Sequence, residues 1–394
     1  RHIDLAPSTH LQRRCIEHWV NHLGDALSSV PGSMNPLKRF FMPIAFVGAM
    51  SPASSYTGSA ALFYLICSAS AFHLAGRVAD SQESSSYMTL GLAQQNRGIR
   101  HLQHNLVRDE PDQRESVLAS LLMCLTYEPV TVERDFWLTH LRGASQWLQR
   151  TDITSWAHSE STVVMYQMLA STANMLRSQI VSESVAHDEN FHFQLATMSE
   201  PYHLHHIFGL PKVCLGVISD MIAMAVRTRQ QNQAISVDLD RLETELYLSI
   251  PPDCKVPAAT RGQNEVVHHY SHLFYLSSII YCKRRLRAAP LSEVQPLVEQ
   301  ACDHIEALAN YRSRPYSPIL WPVAVAVFEA QDICLRSRIL QWVDFIIQQS
   351  TLSIWQKFKP LLCSFWEMRR VPGQEEMQWD DFLSDPATPS IMIV

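Results

Sequence analysis

Histidine is the residue type in this 394-residue chain most ready for chemistry, and there are 18 of them. His18 and His22 stand four apart on a stretch with helical spacing, a separation that lets two imidazoles share one metal ion. A zincin needs in addition a Glu directly after the first His as general base. Trp19 occupies that place, Glu17 precedes His18, and no third ligand can be assigned. His268, His269 and His272 lie within HHYSHLFYL, and His203, His205 and His206 crowd beside Pro201. These clusters are expected to be solvated positions on helices and in a loop, with no metal held.

The nine cysteines, Cys15, Cys67, Cys124, Cys214, Cys254, Cys282, Cys302, Cys334 and Cys363, are scattered singly. CxxC pairs of the kind that hold structural zinc are missing. Reduced core cysteines of an intracellular protein are the expectation. The chain has no Gly-x-Ser-x-Gly elbow, no Walker A loop and no GxGxxG turn. No catalytic residue is assigned, and the chain is not expected to be an enzyme. Lys283, Arg284, Arg285 and Arg287 form one basic cluster. It reads either as a nuclear-import or phosphate patch, or as the cationic end of a helix before Pro290, where positive charge suits the macrodipole.

The elements that must position these residues read as helices. From Ser120 to Arg150, Leu121, Leu122 and Leu125 make one apolar face, Pro129 imposes a turn, and Trp137, Leu141, Ala144 and Leu148 make a second face. This is an antiparallel helix pair, with Gly143 on or beside its seam. Leu62–Ala75 is apolar nearly all round and is expected to be a central helix, too short and too interrupted to span a membrane. Further helices are expected over His10–Leu27, Ile44–Met50, Tyr87–Val107, Ser159–Ser178, Val213–Arg227, Glu265–Ala288, Ile319–Ile347 and Phe358–Arg369. Ser292 is expected to cap the helix that carries Val294, Leu297 and Ala301. Ser81–Ser86 reads as a surface loop and Ser182–Tyr202 is poorly periodic. The stretch 251–263 is a candidate boundary or mobile loop, and 373–394 reads as a polar tail. Strand alternation and a recurring repeat are both missing. The fold class is therefore all-α: one large multi-helix domain over 1–394, antiparallel helix pairs around a central apolar helix. Hydrophobic residues make up 47% of the chain, which supports a sizeable core. A net charge of −6 argues against binding the DNA backbone through this chain alone.

Three stretches read together resemble one family. They are NPLKRFFMPIAF (Asn35–Phe46) with LFYLICSASAFHLA (Leu62–Ala75); LASLLMCLTYE (Leu118–Glu128) with FWLTHLRGASQWL (Phe136–Leu148); and ILWPVAVAVFEAQD (Ile319–Asp332) with FWEMRR (Phe365–Arg370) and WDDF (Trp379–Phe382). In order and distance they are similar to the regulatory domain of fungal zinc-cluster transcription factors. The resemblance implies a nuclear, all-helical regulator. It would act with the transcription machinery or co-regulators, and the resemblance also implies dimer contacts between two copies. DNA would be reached through a separate six-cysteine module holding two zinc ions. That module is not in this sequence, so zinc is expected only upstream and no cofactor in this chain. Arg1 at the start implies a longer chain or a cleavage. Whether the chain is the downstream part of such a factor or a stand-alone relative stays open.

A small apolar ligand is the signal that such a domain is expected to sense. Its pocket is expected between the two most apolar helices, lined by Phe63, Ile66, Phe72, Trp321, Val325 and Phe328. Two other readings stand beside it. One is a metal-dependent helical enzyme using the His clusters, and the other a ligand-free helical scaffold.

Overall fold

The segment Gly58–Ala75 has no charged side chain apart from His73, and Thr57 caps it by accepting a hydrogen bond from the Ala60 amide at 3.1 Å. A helix apolar all round must be surrounded, and 15 of its 18 residues are buried. It is long and apolar enough to cross a membrane, yet 83% of it is buried by its neighbours here. In this computed structural model the described residues are 10–30, 32, 35–52, 55–126, 137–180, 201–231, 236–251, 260–310, 318–350, 352–389 and 391–394. Of these, 79% are helical and none is in a strand.

In chain order, α1 (His10–His18) passes through a π-helical turn, Trp19–Leu23, into α2 (Gly24–Ala26). A second π turn, Leu37–Phe41, opens α3 (Met42–Met50), followed by α4 (Gly58–Ala75) and α5 (Ser81–Arg108). Then come α6 (Arg114–Thr126), α7 (Trp137–Thr151), α8 (Glu160–Gln179), α9 (Leu204–Phe208), α10 (Lys212–Gln231) and α11 (Ser236–Leu248). The remainder is α12 (Arg261–Tyr281), α13 (Leu291–Leu308), α14 (Leu320–Phe328), α15 (Ile333–Gln349), α16 (Ile354–Met368) and α17 (Trp379–Leu383). Around α4 pack α1, α3, α5 and α6, while α12 packs against α13, α14, α10 and α11. Buried apolar side chains from Cys15 to Ile393 join into one connected cluster.

Close approach of α3 to α4 depends on Gly48. A Cβ there would lie 2.0 Å from the Ser59 carbonyl oxygen, a backbone atom that cannot swing aside. Gly143 does not have the packing role expected of it, because nothing lies within 4 Å of its would-be Cβ. The seam itself is as expected: Trp137, Leu141, Ala144 and Leu148 of α7 are all buried. The turn at Pro129 lies outside the described residues, as do 182–200 and most of the loop 251–263.

Several boundaries differ from the sequence reading. Ser81–Ser86 is helix rather than loop. Asp80 caps it by accepting from the Glu83 amide at 2.8 Å, and the Ser86 hydroxyl turns back to the Gln82 carbonyl at 2.9 Å, so the polar residues serve the helix. The helix beyond residue 260 starts at Arg261, not Glu265, because Thr260 and Gln263 form a reciprocal capping box. Ser292 is not a cap. α13 begins at Leu291, whose amide donates to the Glu376 carboxylate at 3.1–3.2 Å, so a distant side chain replaces the local one. The stretch Ile319–Ile347, expected as one or two helices, is two, parted at Glu329–Asp332, with Asp332 capping the second at 2.9 Å.

The polar tail expected from residue 373 onward is anchored in the core at two places, Trp379–Phe382 and the last residues, with exposed stretches between. Trp379 is 2% exposed and Ile393 is fully buried. The Gln179 side chain clamps Ile393, donating to its carbonyl at 2.8 Å and accepting from its amide at 3.2 Å. The Leu320 amide donates to the Val394 carbonyl at 3.0 Å. Four apolar residues at the very end (Ile391, Met392, Ile393 and Val394) were the local feature that foretold this.

Candidate functional site

The six side chains expected to line a pocket are all buried, in two separate triplets. Phe63, Ile66 and Phe72 belong to α4, and the Phe72 ring fills the space over Gly91 of α5, where a Cβ would stand 2.7 Å away. Trp321, Val325 and Phe328 belong to α14. The Trp321 indole donates to the Ser178 hydroxyl at 2.8 Å and its ring lies 6.2 Å from Phe274. Phe328 is ringed by Phe358, Phe365 and Trp379 at 5.6, 5.1 and 6.0 Å. These rings meet other rings.

None of the six lines the apolar cavity found elsewhere among the described residues. That cavity, of about 120 Å³, lies among α6, α8, α9, the loop after α2 and the C-terminal residues. Leu122, Leu125, Met168, Met175, Ile319 and Met392 are among the residues that line it. Its polar neighbours are spent internally: Asn35 donates to the Gly24 carbonyl at 2.7 Å and accepts from the Leu37 amide at 2.9 Å. The surface left facing the space is therefore apolar, with unbranched methionines that adapt to shape. Sequence patterning missed this site because α8 looks half polar. It carries Asn174, Arg177 and Gln179, yet 17 of its 20 residues are buried.

The basic cluster is consumed by carboxylates. Arg284 donates to Glu329 at 2.8 Å and to Glu376 at 2.6 Å, and Arg369 donates to the same Glu329 oxygen at 2.9 Å. Arg285 pairs with Asp380 at 3.0 Å and Asp381 at 3.4 Å. Arg287 pairs with Asp240 and, at 2.7 Å, with Glu243, and Lys283 pairs with Glu293 at 2.6 Å. Arg284, Glu329 and Arg369 are each at most 5% exposed. Glu329 comes from the Leu-Trp-Pro…Glu-Ala motif, Arg369 from FWEMRR, and Asp380 and Asp381 from WDDF. The separate motifs of the third stretch thus converge on one ionic junction that ties α12, α14, α16 and α17 together. Of the two readings of the basic cluster, the structural one fits this geometry.

Of the histidine pair on the first helix, His22 is exposed as expected but His18 is buried, and His203, His205, His206, His268, His269 and His272 are half-buried. His18 is 9% exposed, and its Nε2 lies 2.7 Å from Nδ1 of His73, a partner 55 residues further along the chain. Burial first, then the nearby His73, His22 and Arg77, push the His18 pKa down to about 3. His268, His269 and His272 meet His304 of α13, with His269 Nδ1 at 3.0 Å from His304 Nδ1. Burial and the three neighbouring imidazoles lower the His304 pKa to about 4. His205 and His206 sit on α9 rather than in a loop. Among the described residues no three His, Cys, Asp or Glu side chains are arranged to hold a metal ion.

The geometry offers an apolar cavity and an ionic junction. Over residues 14–391 the sequence matches the family described as the fungal specific transcription factor domain. No curated protein and no solved structure matches it. The match takes in all three stretches that carried the resemblance, and it makes this chain a member of the fungal specific transcription factor domain family.

Proposed function

We propose that this chain is the effector-responsive part of a fungal transcription regulator. Membership of the family carries the coarse statement, that the chain serves transcription regulation. The finer reading is that a small apolar molecule enters the cavity between α6, α8 and α9 and shifts the packing of the C-terminal segment against α8. The observation that supports it is the position of the cavity. Met175 and Met392 both line it, so it borders both α8 and the segment that Gln179 clamps. A ligand shifts such an equilibrium only by its differential affinity for the two packings. The regulator then works in the nucleus with the transcription machinery or co-regulators, as one copy or two, and reaches DNA through a zinc-cluster module outside this sequence.

The volume limits the ligand. An apolar cavity of about 150 Å³ holds benzene, whereas drug-sized ligands need roughly 300–1,000 Å³. The group seated at about 120 Å³ is then one ring or a short branched chain, not a whole sterol. A thermal-shift screen of apolar metabolites tests this on the wild-type chain and on Met175→Trp, which fills the space. Occupancy at 100 times the dissociation constant raises stability by about 2.7 kcal/mol. Shifts confined to the wild type are expected; equal shifts in both proteins, or none in either, would remove the cavity from the account.

A further inference from the structure

From Ser84 to the end of α5 at Arg108 there is no carboxylate. Arg97, His101, His104 and Arg108 stand four, three and four residues apart, which places them on one face of the helix, and Arg100 lies one turn after Arg97 at its edge. Two tyrosines join this stripe into one surface. Arg97 sits over the Tyr64 ring at 5.9 Å, the Tyr64 ring is 5.3 Å from His101, and the Tyr56 ring is 4.8 Å from both His101 and His104. His101 is buried, while Arg97 and Arg100 are exposed. So are Tyr56, at 50%, and Val107, one turn after His104, at 84%.

The neighbouring carboxylates do not neutralise this face. α4 and α7 have none, and the one on α6, Glu115, accepts from Ser161. α1 runs antiparallel to α5, with Gln12 on Gln94 and Arg14 on Glu83, which carries its single carboxylate, Glu17, away from Arg97. Asp80 and Glu83 stand at the start of α5, more than three turns before Arg97. Asp109, Glu110 and Asp112 follow its end: Arg114 holds Asp109 at 2.9 Å, Arg108 lies 3.5 Å from Glu110, and Asp112 accepts from Gln113. Asp109, the first of these, is about 13 Å along the chain axis from Arg100, past the roughly 8–10 Å over which exposed charges act through salt. Among the described residues Arg97 and Arg100 have no carboxylate partner, whereas Lys283, Arg284, Arg285 and Arg287 are all paired.

We infer that this face of α5 is a docking surface for an acidic amphipathic helix of another protein, its carboxylates facing Arg97, Arg100 and His104 and an apolar side chain facing Tyr56 and Val107. Carboxylates match the planar fork of a guanidinium, and on a second helix they recur at the same three- and four-residue spacing as the cations. Exposed ion pairs contribute little by themselves, so the charges steer and orient the partner while the apolar contact holds it. The exposed Val107 separates this partner from duplex DNA: a phosphate backbone gives an isopropyl group nothing to pack on, and the net charge of −6 repels it. None of these residues lines the apolar cavity, so the surface stands or falls independently of that reading.

The test is fluorescence anisotropy of the full 394-residue chain with a labelled helical peptide of leucine, alanine and glutamate, the glutamates three and four residues apart, with its glutamine counterpart, and with labelled duplex DNA of random sequence. The expected result is saturable binding of the glutamate peptide that weakens as salt is raised, with the glutamine peptide bound severalfold more weakly. Arg97→Glu together with Arg100→Glu should weaken binding by about tenfold or more, because like charges then face each other. Val107→Ser should weaken it severalfold. Arg227→Glu together with Arg370→Glu, on α10 and after α16, changes the net charge equally and should leave binding unchanged. The substituted side chains are exposed, so every variant should melt close to the wild type. No saturable binding of the glutamate peptide, equal binding of the glutamine peptide, or equal loss in the two double variants would overturn the proposal. Duplex DNA bound more tightly than the peptide, and released by Arg97→Glu with Arg100→Glu, would overturn it in favour of a nucleic-acid face.

Discussion

Glu329 should be the most expensive single charge to remove from this protein. It is 1% exposed and accepts from two guanidinium groups, Arg284 at 2.8 Å and Arg369 at 2.9 Å. Both bonds fall on one oxygen; the other, Oε1, has no hydrogen-bond partner among the described residues. Glu329→Gln keeps the shape and can keep one acceptor towards the arginines. It deletes the charge and turns an amide NH₂ towards a place with no acceptor. Removing one partner of a buried ionic group costs about 3–5 kcal/mol, because the remaining charges stay buried. That is a large part of the roughly 5–15 kcal/mol that holds a typical domain together. Glu376→Gln is the internal control. Its side chain also bonds Arg284, at 2.6 Å, but is 57% exposed, so the loss should be about 0–1 kcal/mol. Urea unfolding followed by tryptophan fluorescence measures both. A Glu329→Gln loss below about 1 kcal/mol, or equal losses in the two variants, would refute the claim that Glu329 is the hub of the junction.

Acid should destabilise the protein well before its carboxylates titrate. The unfolded chain protonates His18 and His304 near 6.5, while in the fold His18 resists to about 3 and His304 to about 4. The unfolded state therefore binds more protons in that window, and stability falls as pH drops through it. A Tm unchanged between pH 7 and pH 5 would contradict this, and His18→Leu should flatten the profile. Gly48→Ala should lose about 1–3 kcal/mol by forcing α3 from α4, whereas Gly143→Ala, with open space around it, should gain roughly 0.5–1 kcal/mol. Melting curves that move in the same direction for both would show that the approach of α3 to α4 is not glycine-limited. The purified chain, at net charge −6, should bind duplex DNA only weakly, and a salt-resistant, sequence-selective gel shift would disprove it.

Periodicity made the all-helical class and most helix positions legible, because α4, α7 and α14 bury the faces their spacing implies. Where polar residues sat inside helices, the same reasoning drew the wrong boundary. The serines of 81–86 look like loop until Asp80 is seen to cap them. The cap of α13 is invisible in local sequence because Glu376, 85 residues away, provides it. The burial of α8 escaped notice for a related reason. Composition says that Arg177 and Asn174 prefer water, and only the assembled fold shows that both are buried. The candidate site was the least legible part. Apolar richness located helices that cross the middle, but such helices are the ones most completely filled by their neighbours. The cavity formed instead where α6, α8, α9 and the last residues fail to interlock, a matter of three-dimensional fit that no window of sequence encodes.

The central claim is that this domain controls transcription in response to a small molecule that it binds. Residues 1–394, fused to an unrelated DNA-binding module, should change the output of a reporter carrying that module's site. A compound that stabilises the purified chain should alter the output, and Met175→Trp should remove the response to a ligand of the apolar cavity while leaving protein levels unchanged. A fusion that leaves the reporter at the level of the DNA-binding module alone, with and without every compound that stabilises the protein, would contradict the account.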